Sequence, residues 1–146
     1  MAMKEDRQVF QTDISWTASG TMERGGIASI ASWTNGLVYY AGGSGQPIAG
    51  LLLEDIETQN YMNHPQYLQR NVSPEGSVVG LATEGEFWTD MIQTAVTYSP
   101  GDALYLWSDG KITNYNPGDG TVSARIGTCL AGKDSNNFIK IRLELT

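Results

Sequence analysis

Apolar and polar residues alternate without a break towards the C-terminus. In residues 138–145 (FIKIRLEL), Ile139, Ile141, Leu143 and Leu145 fall on one side and Lys140, Arg142 and Glu144 on the other. A period of two predicts a strand with one buried face and one wet face. Residues 122–131 (VSARIGTCLA) alternate too, with Val122, Ala124, Ile126 and Leu130 on one face, and residues 133–137 link the two strands. Upstream, residues 103–115 (ALYLWSDGKITNY) divide around Asp109-Gly110, with Leu104, Leu106 and Ser108 on one face of the first half and Tyr105 and Trp107 on the other. Asp-Gly between two strand-like runs predicts a hairpin, because both residues of the tight turn need positive φ. A two-residue turn sets Trp107 opposite Ile112 and Leu106 opposite Thr113, and an aromatic–branched pair of this kind stabilises a hairpin by about 0.2–1 kcal/mol. Pro100-Gly101, just before it, is a second turn signal.

Residues 36–41, 48–53, 77–83 and 91–98 complete the predicted strands, divided by Gly42-Gly43-Ser44-Gly45 and by Gly85-Glu86. No stretch carries a capped apolar stripe at helical spacing, so the expected class is all-β: a compact small β-barrel or β-sandwich. Two segments break the pattern. Residues 54–73 contain Pro65 and do not alternate, which fits a short helix or a long excursion over the sheet. At the N-terminus Phe10, Thr12, Ile14 and Trp16 alternate with Gln11, Asp13 and Ser15, ahead of a loose TASGTMERGG. Residues 1–26 read as an extended N-terminal arm hinged at Gly25-Gly26, and residues 27–146 as a single β-domain. The same alternation equally fits the first strand of the domain's own sheet.

A chain of 146 residues with 40% hydrophobic residues can bury a core without disulfides or metals. Sixteen Asp and Glu outweigh nine Lys and Arg, and the cations are scattered. Nucleic acid is therefore not an expected partner, since binding it needs clustered cations against phosphates. Cys129 is the lone cysteine, so no internal disulfide forms. The longest apolar runs, such as residues 48–53, are too short to cross a bilayer, and MAMKEDRQVF has no apolar core of signal-peptide length. A soluble protein with no membrane partner is expected.

Candidate chemistry is sparse. His64, the single histidine, precedes Pro65 with no nucleophile motif beside it, so a surface-loop role is expected over a hydrolase base. Cys129 lies on a predicted strand as a small core residue. Zinc needs several His or Cys, and the chain has one of each. Asn114, Asn116, Asp119 and Asp109 offer oxygen ligands that suit calcium, but counting an EF-hand loop from Asn114 puts Arg125 where the closing Glu belongs. Turn formation explains these residues better. Gly42-Gly43-Ser44-Gly45 lacks the Lys-Ser/Thr ending of a phosphate loop. No catalytic residue, metal or cofactor is expected, and the chain reads as a non-enzyme. Four Trp and seven Tyr remain, which suit a core, a sugar platform or a protein interface.

The second half has a recognisable layout: VVGLATEGEF (78–87), SPGDALYLWSDGKIT (99–113) and ARIGTCLAGKDSNNFIKIRLEL (124–145). Gly80-Leu81-Ala82, then Gly101-Asp102-Ala103-Leu104-Tyr105-Leu106, then Asp109-Gly110-Lys111-Ile112, then Arg125-Ile126-Gly127 follow in order. This succession resembles the small head-decoration, or cement, proteins of tailed bacteriophages and related phage structural proteins, over residues 36–146. The resemblance implies a homotrimer on the outside of the virion head, assembled in the host cytoplasm, that clamps neighbouring subunits of the major capsid protein and thereby stabilises it. It brings no catalytic residues. Within that reading Phe10, Ile14 and Trp16 of the arm are capsid-contact candidates, since a free strand can add to another chain's sheet edge. Tyr61 and Tyr67 of the long loop are further candidates. Deleting residues 1–20 is then expected to abolish attachment and leave the β-body folded. The alternative reading is a carbohydrate-binding or adhesin module on a virion tail or surface, which calls for exposed Trp or Tyr clustered on one face.

Overall fold

The computed structural model describes residues 3–32, 36–40, 47–57, 72–74, 76–115 and 125–145. Every regular element among them is a strand: β1 (Met3–Ala18), β2 (Ile27–Ser32), β3 (Leu37–Tyr39), β4 (Ile48–Leu52), β5 (Asp55–Glu57), β6 (Val72–Pro74), β7 (Val78–Thr89), β8 (Ala103–Leu106), β9 (Ile112–Thr113), β10 (Arg125–Ala131) and β11 (Ile139–Glu144). Strands β1, β3, β2, β4 and β7 lie edge to edge, and β7 pairs back onto β1, which closes a five-stranded barrel. From the same β7 a second sheet runs outward through β11, β10, β8 and β9. Barrel and sandwich were both open from the sequence; the chain builds a five-stranded barrel and extends it with further strands from one shared strand.

Two cores follow from this sharing. Ile27, Leu51 and Ala82 pack with Phe87, Leu104, Leu106, Ile112, Ile126, Ile139, Ile141 and Leu143, between barrel and outer sheet. Their chain neighbours Ala28, Leu52 and Leu81 pack with Trp16, Met22, Val38, Ile56 and Val79, in the other core. Successive side chains of a strand point to opposite faces, so a strand that separates two cores is apolar at every position. That is why residues 48–53 form an unbroken apolar run. β7 passes from one unit to the other at Thr83. There β1 advances from Gln11 to Thr12 while β7 goes from Glu84 to Ala82, leaving Thr83 as the extra residue of a β-bulge. On its other edge β7 is paired with β4 up to Ala82 and with β11 from Glu84.

The Asp-Gly hairpin forms, with Asp109 at φ 54° and Gly110 at φ 76°. Its register is one residue off the expected one: Leu106 faces Ile112 and Tyr105 faces Thr113. The Ser108 carbonyl accepts the Lys111 N–H at 3.0 Å, while the Trp107 N–H donates to the Lys111 carbonyl at 2.8 Å. Ser108 is thus an extra residue beside the turn. Burial decides the outcome: the slip puts two fully buried side chains, Leu106 and Ile112, opposite each other in one core. The turn also docks onto the barrel. The Gly110 carbonyl accepts the Ile27 N–H at 2.8 Å, and the Tyr40 ring lies against the open Cα faces of Gly26 and Gly110.

Residues 91–98 do not form the expected strand. Ile92 makes a single parallel bridge to Ile112, and the segment then turns away, held where the Tyr98 hydroxyl meets the carbonyls of Gln93 at 2.9 Å and Ile112 at 3.0 Å. The long excursion beyond Leu53 opens with a strand, since β5 pairs in parallel with β6. Nor is there a hinge at Gly25-Gly26. Met22 and Ile56 exchange hydrogen bonds of 3.0 and 2.8 Å, the Gly25 N–H donates to the Leu52 carbonyl, and the Leu52 N–H donates to the Gly26 carbonyl. Both glycines are buried.

Gly127, in the Arg-Ile-Gly stretch, sits where β10 and β11 approach so closely that a Cβ would lie 1.9 Å from the Arg142 carbonyl oxygen. Gly80 has room, with only Leu53 Cδ1 at 3.9 Å. Gly127→Ala is expected to lower unfolding free energy by about 3 kcal/mol, at the upper end for overpacking. Gly80→Ala should stay within about 0.5 kcal/mol. Urea unfolding of the two variants checks the contrast.

Candidate functional site

The contact candidates fall in different places. Trp16 is 9% exposed and packs with Ala18, Met22 and Val79 in the barrel core. Phe10 and Ile14 are positions on β1, which pairs antiparallel with β7 from Met3 opposite Thr89 to Thr17 opposite Val78. The alternating segment is therefore part of the domain's own sheet in this structure. Register shifts between Val9 and Gln11, and between Asp13 and Trp16, interrupt the regular spacing that grouped Phe10, Ile14 and Trp16 on one face. Tyr61, Tyr67 and His64 lie outside the described residues.

A cleft of about 380 Å³ is lined by Thr21, Met22, Glu23, Tyr40, Asp55, Glu57 and Met91, on the barrel side and on β5. Local bonds fix its walls. The Arg24 N–H donates to Asp55 Oδ1 at 2.8 Å, the Tyr40 hydroxyl donates to the Glu23 carbonyl, and Thr89 Oγ1 donates to the Gly25 carbonyl at 2.9 Å. Three carboxylates line it and a fourth, Asp90, is near. Burial, and then the charge of Glu23, raise the Asp90 carboxyl above its ordinary range. The cleft is thus electronegative. Sequence spacing did not reveal it, because Glu23, Asp55 and Glu57 come from distant segments that the Met22–Ile56 bridge brings together.

The wet face of the outer sheet carries compensating charges. Glu86 lies 3.1 Å from Arg142 and 4.0 Å from Lys140, while Glu84 and Glu144 sit directly opposite each other on β7 and β11. Exposed ion pairs of this kind contribute little stability. Among the described large hydrophobic side chains only Val78 and Tyr115 stand well out of the surface. Trp16 is buried, and Trp88 and Trp107 are half-buried.

Of the oxygen-rich loop, Asn116 and Asp119 lie outside the described residues. Asn114 is a latch: its Nδ2 donates to the Thr97 carbonyl at 2.8 Å and to Asp102 Oδ2 at 3.1 Å. Asp102 also accepts the Ser99 N–H at 2.9 Å across the Pro100-Gly101 turn. Cys129 is fully buried, its thiol donates to the Ala131 carbonyl at 3.3 Å, and burial raises its pKa. Among the described residues no three His, Cys, Asp or Glu side chains group around a metal position.

The barrel with an attached sheet has a counterpart among solved structures. A chain of "The capsid of Myoviridae Phage XM1" matches 99% of this chain and 88% of its own length, with a TM-score of 0.64 and 14% sequence identity. This chain has the fold of a phage capsid chain. At that identity the fold is what is shared, and it extends over the whole molecule. No protein-family model and no curated protein matches the sequence.

The two aspartates titrate in opposite directions. The Ser99 N–H, and then Asn114, hold the Asp102 carboxyl below its ordinary range. Its contribution to stability is present above the unfolded value of about 3.9 and is lost as pH falls through the lowered native one. For Asp90 the sign reverses, and stability declines as pH rises through the ordinary value towards the raised native one. Carboxyl titration by NMR should place Asp102 below and Asp90 above about 3.9. Asn114→Ala should move Asp102 upward and leave Asp90 unchanged.

Proposed function

We propose that this chain is a virion structural protein of a tailed phage, a decoration or cement protein that binds the outer surface of the head and bridges subunits of the major capsid protein. The observation that carries this is the whole-chain match to a capsid chain only slightly longer than this one. The likeness includes both the barrel and the outer sheet, so it is not a shared fragment. The decoration-protein motifs quoted above occupy structural positions that such a body needs: the turn at Gly101-Asp102, the docked Asp109-Gly110 hairpin and the close strand approach at Gly127. An acidic chain whose β-body carries two packed cores suits a part that works by holding its neighbours in place.

The function then lies in surfaces, and attachment stabilises the head by mass action, since only the assembled lattice offers the composite site. Deleting residues 1–20 is a poor test. It removes Trp16 and Ala18 from the barrel core and the parallel pairing of Thr17–Ala18 with Leu37–Val38 that joins β1 to β3. A truncation that stops before Asp13 spares both. Purified chain added to expanded heads of its major capsid protein should bind to saturation at a fixed copy number and raise the temperature at which heads disrupt. Sedimentation and a thermal DNA-release assay measure the two effects. Heads that neither retain the chain nor gain thermal resistance would count against this function.

A further inference from the structure

We propose that residues 3–14, the leading part of β1, form an exchange strand that pairs with β7 of a second copy of this chain. The inference concerns the isolated protein and does not rest on head binding. It starts from a contrast between the two edges of one strand. Along β11, residues Glu84–Thr89 of β7 pair in unbroken register, from Glu144 opposite Glu84 to Ile139 opposite Thr89. Along β1, the same stretch is met only at Met3, Arg7, Gln8, Val9 and Gln11, and the whole β1–β7 pairing shifts register in four places. Each bulge leaves a residue unpaired and locally disrupts the ladder, so this segment is released from β7 more readily than β11 is.

The anchor and the pivot are both visible. Trp16 and Ala18 are embedded in the barrel core, and Thr17 and Ala18 pair with β3. That end cannot leave without opening the barrel. Immediately before it, the register shift between Asp13 and Trp16 marks a place where the strand bends relative to β7. The twelve residues ahead of the pivot reach about 40 Å when extended, roughly the diameter of a body of this size. Their sequence, MKEDRQVFQTDI, opens with charges of both signs, which keeps a strand soluble while it lies between partners.

The β7 edge cannot stay bare, because its N–H and C=O groups would then be a sticky open edge. It takes a strand in either case. A strand from a second copy makes the same main-chain bonds as the chain's own, so exchange alters no contact beyond the pivot and costs little. Exchange then converts an interrupted pairing into the link that holds copies together.

The test places single cysteines at Gln8 and Glu86, which lie directly opposite each other across β1 and β7. Native Cys129 is fully buried and does not compete. Gln8→Cys and Glu86→Cys proteins are unfolded, mixed, refolded together and treated with a short thiol–thiol cross-linker. The expected result is a covalent pair in the mixture, with position 8 of one chain joined to position 86 of the other, that neither variant forms when refolded alone. Light scattering of the unmodified chain should give a mass above one copy. Cross-linking of the double variant only within its own chain, together with no linked pair in the mixture, would overturn the proposal, and so would a monomeric mass for the unmodified chain.

Discussion

The constraint on which the structure depends is the double duty of β7. One strand is both the closing stave of a five-stranded barrel and the first strand of the outer sheet. Val79 and Leu81 belong to one core, Ala82 and Phe87 to the other. A straight, regular strand holds each face to one environment along its length. The bulge at Thr83 changes this, because one extra residue reverses which side chains point where and lets the strand bend. The two units therefore share one strand.

The second contact between the units is the Asp-Gly turn. It presents the Gly110 carbonyl to Ile27 and a glycine face to Tyr40. A turn that needs positive φ already favours glycine, and the missing side chain also makes room for the ring. The electronegative cleft lies beside this joint, with Tyr40 in its wall.

Much of the fold was legible in the sequence. The all-β class, the C-terminal strand, the Asp-Gly hairpin and the Pro-Gly turn rest on local patterns of two to eight residues, which a sequence displays directly. What was hidden depends on partners far along the chain. The hairpin register turned on the shared burial of Leu106 and Ile112, not on turn length. Residues 91–98 look like a strand but find only one bridge, because β9 offers just two residues to pair with. Gly25-Gly26 reads as a hinge until Leu52 and Thr89 are seen to fasten it. The spacing of Trp16 fitted a free arm and the domain's own first strand equally, and nothing local says that a barrel closes around it. The acidic cleft was invisible for the same reason, whereas the resemblance to phage structural proteins rested on the order of turn motifs, and the fold is that of a phage capsid chain.

The central claim is that this molecule acts by gripping a capsid lattice from outside. Electron cryo-microscopy of expanded heads incubated with the purified chain tests it most directly. The account predicts ordered density on the outer surface, seated over junctions between capsid subunits and shaped as a barrel joined to a single sheet. Heads whose outer surface stays bare at saturating chain, or density confined to the tail or the head interior, would contradict it.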